Sequence, residues 1–194
     1  MNVPTPLKNK IESIIELFSS GHITEALNTV QTLMSQHPNE ALLHNISGVC
    51  YKATGQLEMA VQSFKRAVEI KSDFADAHYN LGLTLQELNQ LDDAVKSYLK
   101  ALTIKLDYAE AYNNLGVTLK DLDQLEEAVK CYEKALIIKP DYPEAHNNLG
   151  NALKNLGRLS KAVECFEKML TIDPDNAEGH NNLGITLMDL GQPN

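Results

Sequence analysis

Tryptophan is absent from this chain of 194 residues, and cysteine, proline and glycine are sparse, at 3, 7 and 10 residues. The cysteines, Cys50, Cys131 and Cys165, are too few for the disulfide framework of a small secreted domain, and none stands in a CxxC pair. Positive charge is also short: 17 Lys and Arg against 26 Asp and Glu leave a net charge of −9. No Lys/Arg cluster breaks that excess, which excludes the electrostatic footprint of a nucleic-acid binder. Long apolar runs are missing. None approaches the roughly 20 residues a membrane span needs. The opening MNVPTPLKNKIESIIELF is interrupted by Lys8, Lys10, Glu12 and Glu16 before it reaches the length of a signal-peptide core. The expectation is a cytoplasmic, reduced protein with no membrane and no nucleic-acid partner. Period-two alternation of apolar and polar residues is lacking as well, so no strand is predicted.

What the chain has instead is repetition. DAHYNLG at 76–82 returns as EAYNNLG at 110–116, EAHNNLG at 144–150 and EGHNNLG at 178–184, each time after 34 residues. After a lead-in of residues 1–6, the sequence falls into lines 7–40, 41–74, 75–108, 109–142 and 143–176, with 177–194 incomplete. One column reads Gly48, Gly82, Gly116, Gly150, Gly184. A second reads Ala26, Ala60, Ala94, Ala128, Ala162, and a third Val30, Phe64, Tyr98, Tyr132, Phe166. Within 109–142, Ala111, Leu115, Thr118, Leu119 and Leu122 recur at helical steps, as do Leu125, Ala128, Val129, Tyr132 and Ala135 after a turn at Asp123-Gln124. Gly55, Gly157 and Gly191 hold that turn in other lines. Each full line therefore predicts two helices of about 14 residues joined by short loops. A lone antiparallel pair cannot bury both apolar faces, but stacked pairs cover one another. The glycine and alanine columns are expected to let paired helices approach, and the aromatic column to fill the seam between successive pairs.

These columns resemble the tetratricopeptide repeat, with Leu115-Gly116, Ala128, Tyr132, Ala135 and Pro140 standing in that family's positions. The resemblance implies an all-α fold, a right-handed α-solenoid or superhelix of stacked antiparallel helix pairs in one continuous array. It is strong over 41–192 and weak over 7–40. Wording such as ADAHYNLG is similar to the repeat arms of O-linked N-acetylglucosamine transferases and of bacterial modifying enzymes. Ile14 replaces the glycine of the first line and Leu33 its later alanine, so 7–40 reads as a degenerate N-terminal cap. Met169 also replaces that alanine and is expected to widen the last seam. Line 177–194 supplies the first helix of a further, truncated repeat, with Leu183, Leu187 and Leu190 equipped for a partner.

In this family the first helices line a concave wall. The residues expected there include a ladder of Asn80, Asn114, Asn148 and Asn182, broken at Ile46. A carboxamide donates and accepts, so it can hold a peptide backbone whatever the side chains. Same-type helices about 10 Å apart and an extended chain rising about 3.3 Å per residue would set one grip at every third residue. Lys52, Lys120 and Lys154 form a basic column beside it, with Glu87 and Asp121 among the acidic neighbours. The family's clamp for acidic chaperone tails needs Lys or Arg where this chain has Asn45, Tyr79, Asn113, Asn147 and Asn181, or the acids Asp76, Glu110 and Glu144. Chaperone C-terminal tails are therefore not expected partners. His44, His78, His146 and His180 share a column, but spacing of one repeat exceeds the reach of ligands to one zinc at about 2.0–2.1 Å. No metal site is expected. Cys131 and Cys165 read as small apolar fillers on the same argument.

No phosphate loop, HExxH or activated nucleophile is present, so no catalytic residue and no cofactor are expected. The sequence favours a non-catalytic protein–protein interaction scaffold that binds a peptide or helix in its concave groove. Two alternatives stay open. One is a substrate-recruiting arm of a glycosyltransferase-like enzyme whose catalytic domain lies beyond residue 194. The other is an assembly module that self-associates through helix 177–190.

Overall fold

The computed structural model describes residues 5–191, and every regular element among them is an α-helix. They divide into two compact units, one up to Ile104 and one from Lys105. The first contains α1 (Thr5–Ser19), α2 (Ile23–Gln36), α3 (Ala41–Ala53), α4 (Leu57–Ile70), α5 (Ala75–Glu87) and α6 (Leu91–Ile104). The second contains α7 (Ala109–Asp121), α8 (Leu125–Ile138), α9 (Pro143–Asn155), α10 (Leu159–Ile172) and α11 (Ala177–Asp189). Each full line from residue 41 holds one pair, and within each unit consecutive helices pack on one another.

The turn inside each pair follows from one backbone position. Gly21, Gly55, Gly157 and Gly191 have φ of 84°, 75°, 70° and 77°, and the same column holds Asn89 at 57° and Asp123 at 60°. This is the left-handed region, open to glycine and, among other residues, best tolerated by Asn and Asp. The next residue then closes the helix end: Gln56 N–H donates to the Tyr51 carbonyl at 2.9 Å and Gln124 N–H to that of Leu119 at 2.8 Å. Both are the long bond of a Schellman ending. Loops between lines are pinned differently. The imidazole Nε2 of His44, His78, His146 and His180 lies 2.9, 3.1, 2.9 and 2.8 Å from the carbonyl of Pro38, Ser72, Pro140 and Pro174 respectively. Each histidine thus fastens its own loop. At the last line Asn176 caps α11, its Oδ1 accepting from Gly179 N–H at 2.9 Å.

The alanine column from Ala26 to Ala162 and the aromatic column from Val30 to Phe166 are both fully buried. Each aromatic ring packs within its own pair. A Cβ added at Gly48, Gly82, Gly116 or Gly150 would sit 2.6–2.7 Å from a ring carbon of Phe64, Tyr98, Tyr132 or Phe166, the aromatic of the same pair. The ring closes the pair from within, and the glycine exists because of it. The first line inverts this arrangement. Ile14, large in the glycine column, and Val30, small in the aromatic column, are both 0% exposed in one apolar cluster. Met169 is matched in the same manner, since a Cβ on Gly179 would meet its Sδ at 3.2 Å. Where the three preceding lines have Ala77, Ala111 and Ala145, glycine at 179 supplies the room that the longer side chain takes.

Two of the rings carry a hydroxyl. Tyr98 donates to Gln86 Oε1 at 2.8 Å. In the next line Lys120 occupies the column of Gln86, and the buried Tyr132 hydroxyl has no partner among the described residues. Burial accordingly pushes the Tyr132 phenol above the usual range. Phe64 and Phe166 share their lines with Lys52 and Lys154 and avoid the problem. Removing an unsatisfied buried hydroxyl while keeping the ring should be neutral or favourable, whereas removing a bonded one costs about 0.5–1.5 kcal/mol. Tyr132→Phe is therefore expected to match or exceed the native chain in urea unfolding, and Tyr98→Phe to fall below it by about 1 kcal/mol.

Candidate functional site

The first helices of successive pairs touch side by side, α3 with α5 in one unit, and α7 with α9 and α9 with α11 in the other. Asn80, Asn114, Asn148 and Asn182 all lie half-buried on them. Their position depends on the helix interior: Thr84, Thr118 and Thr186, fully buried, each donate a hydroxyl to the backbone carbonyl of the ladder residue one turn earlier, at 2.8, 2.9 and 2.6 Å.

The ladder side chains are already engaged. Asn80 Nδ2 donates to Asn45 Oδ1 at 3.1 Å, Asn148 to Asn113 at 3.0 Å and Asn182 to Asn147 at 2.9 Å. Each bond runs from one first helix to the preceding one and ties two repeats together. The partners Asn45, Asn113 and Asn147 belong to the adjacent column, where a basic clamp would otherwise stand. Asn147 also donates to Glu178 Oε1 at 2.8 Å. Asn80, Asn148 and Asn182 therefore each give one N–H to the fold. At Asn80, Asn148 and Asn182 the carboxamide oxygen accepts no protein bond among the described residues, so what these three offer a ligand is chiefly an acceptor.

The charged columns lie on the same first helices, α3 and α5 in one unit and α7 and α9 in the other. Lys52 Nζ reaches across to Glu87 Oε1 at 2.7 Å, a pair between successive first helices. Lys120 is 3.5 Å from its neighbour Asp121. Lys154 is half-buried and has no ion-pair partner among the described residues. Such partly exposed pairs contribute about 0–1 kcal/mol each, so they are open to exchange with a charged ligand. Sequence reasoning found both columns but missed the asparagines that hold the ladder. The available signal was two adjacent Asn columns, which pair one residue off the 34-residue period.

A separate groove lies in the second unit on α8, α9 and α10, with a volume of about 640 Å³, lined by Leu136, Ile137, His146, Leu149, Cys165 and Ile172 among others. It shares no residue with the ladder. Burial pushes the Cys165 and Cys131 thiols up to about 11, which leaves them un-ionised at neutral pH and poor nucleophiles. All three cysteines are free. No group of three or more His, Cys, Asp or Glu side chains is placed to hold a metal among the described residues, and no described helix is long and apolar enough to cross a membrane.

Family models described as TPR repeat match residues 48–89, 85–123 and 118–157, and models described as tetratricopeptide repeat match 143–176 and 165–194. No curated protein sequence matches the chain. Solved structures do. MamA is 25% identical with a TM-score of 0.78, over 84% of this chain and 95% of MamA. YrrB, described as a TPR protein with an unusual peptide-binding site, is 23% identical with a TM-score of 0.74, over 84% of each chain. The pilF protein of Pseudomonas aeruginosa is 16% identical with a TM-score of 0.86, over 95% of this chain and 84% of its own. At these identities the last two establish the fold.

Burial holds the His78 and His146 imidazoles below their ordinary value, against smaller opposing help from the loop carbonyls they bond. The folded chain thus keeps them neutral where the unfolded chain, titrating near 6.5, takes up protons. Their contribution to stability is complete above that pH and is lost as pH falls from it through the lowered folded value. Urea midpoints measured from about pH 7 down to 5 should decline, and His146→Gln, which cannot titrate, should decline less than the native chain.

Proposed function

Because the chain belongs to the tetratricopeptide repeat family, we propose that it is a non-catalytic interaction scaffold whose asparagine-bearing first-helix face holds an extended segment of a partner protein. The observation that carries this reading is the acceptor oxygen left open at Asn148 and Asn182 on α9 and α11 of the second unit, and at Asn80 in the first, each on a carboxamide that gives one of its two N–H groups to the fold. Oxygens at a fixed step suit backbone N–H groups of an extended peptide, about one for every three residues if successive helices stand about 10 Å apart. Asn114 belongs to the same column, and its Oδ1 already accepts from Asn113 Nδ2 at 3.4 Å. Lys52, Lys120 and Lys154, with Glu87 and Asp121, flank the row and select among partners by charge. The peptide-binding site named for YrrB supports a peptide as the class of ligand.

This reading makes the preferred segment unlike an acidic chaperone tail, because Asp76, Glu110 and Glu144 would repel it. It places the protein in the cytoplasm, where free thiols persist.

The test is a displayed library of 12-residue peptides selected on the native chain. Selected peptides should lose affinity about tenfold or more for the Asn148→Ala, Asn182→Ala double variant, as expected for one or two hydrogen bonds. Each substitution also removes an inter-repeat tie, so both chains are compared at a temperature where circular dichroism shows them folded. Undiminished affinity would remove the ladder from the account.

A further inference from the structure

Across the four full lines from residue 41, Lys52 and Lys154 stand with Phe64 and Phe166, and Gln86 stands with Tyr98. Lys120 alone stands with a tyrosine. The two tyrosine rings are seated alike: a Cβ on Gly82 would meet Tyr98 Cε1 at 2.7 Å, and one on Gly116 would meet Tyr132 Cε1 at 2.6 Å. Their hydroxyls therefore leave the pair in the same direction, toward the column from which Gln86 accepts the Tyr98 proton. At Tyr132 that column holds a side chain with donors only. The ring is 0% exposed, and its hydroxyl has no hydrogen-bond partner among the described residues. Phenylalanine fills the same buried place in two other lines without that penalty.

The column adjoins the asparagine ladder. Lys120 follows Asn113 by about two helical turns, so both stand on one stripe of α7. Asn113 is the residue to which Asn148 donates at 3.0 Å. Open oxygens at Asn148 and Asn182 suit the N–H groups of an extended segment, but that segment also carries carbonyl oxygens in need of donors. We propose that the Tyr132 hydroxyl is such a donor, taken up by a backbone carbonyl of the bound peptide once the Lys120 side chain swings aside. The inference rests on the peptide-binding reading above. Lys120 can move, because its ammonium lies 3.5 Å from Asp121 in a partly exposed pair that a ligand can exchange. After burial, the charge of Asp121 is the next influence keeping the phenol un-ionised. The same charge favours a neutral carbonyl over a carboxylate as the group received.

The probe is a 12-residue peptide selected by display on the native chain, whose affinity falls for the Asn148→Ala, Asn182→Ala double variant. Titrated by fluorescence anisotropy, it should bind the Tyr132→Phe chain about fivefold more weakly, the loss of one hydrogen bond, while that variant keeps at least the native urea midpoint. Lys120→Gln should weaken binding by a similar factor, because the glutamine oxygen takes the hydroxyl proton as Gln86 takes that of Tyr98, and its urea midpoint should rise. Adding Tyr132→Phe to Lys120→Gln should then cost no further affinity. Unchanged affinity for Tyr132→Phe overturns the assignment and leaves the ladder in place. A Tyr132→Phe midpoint below the native one also overturns it, since the hydroxyl would then be bonded within the fold. If no selected peptide depends on the ladder asparagines, the peptide reading fails and this inference fails with it.

Discussion

An aromatic ring pressed against a glycine of the same helix pair is the contact on which this structure rests. With ring carbons 2.6–2.7 Å from where a Cβ would stand, no other residue fits at Gly48, Gly82, Gly116 or Gly150 without displacing the ring. The glycine spends helix propensity, about 1 kcal/mol relative to alanine, and regains it in close-packed area. Volume is balanced locally at two of the places where the rule is broken. Ile14 with Val30, and Met169 with Gly179, each exchange large for small across one contact.

Ties between repeats are of a second kind, polar and nearer the surface. Histidines hold loop carbonyls, Lys52 holds Glu87, and three ladder asparagines hold asparagines of the preceding repeat. A hydrogen bond of this sort is worth about 0.5–1.5 kcal/mol net, so the stacking is adjustable where the pair is rigid. Binding and architecture share the same side chains. Asn80, Asn148 and Asn182 each give one N–H to the fold, and under the proposed function the oxygen left open would serve a ligand, which would couple a grip on a peptide to the spacing of the helices that present it.

The period and the helix pairs were legible in the sequence, because one register repeated five times over averages out local exceptions. The direction of the aromatic ring was not. A column states that Tyr132 recurs every 34 residues, but a single period is equally compatible with packing inward on Gly116 or onward to the next pair. The ladder's partners were hidden for a related reason: Asn148 bonds Asn113, off the period by one residue. The orphaned Tyr132 hydroxyl required knowing that Gln86 bonds the ring hydroxyl of its own pair and that Lys120 stands in the same column. Departures from the repeat were visible as letters, and only contact distances showed them to be matched pairs.

Gly116→Ala tests the governing contact most directly, by urea unfolding against the native chain. Helix propensity alone would make the alanine variant more stable by about 1 kcal/mol. If Tyr132 fills that space, the added methyl group overpacks the pair and the variant loses about 1–3 kcal/mol. A gain in stability would show that the ring does not hold the pair, and the account of the fold would fail with it.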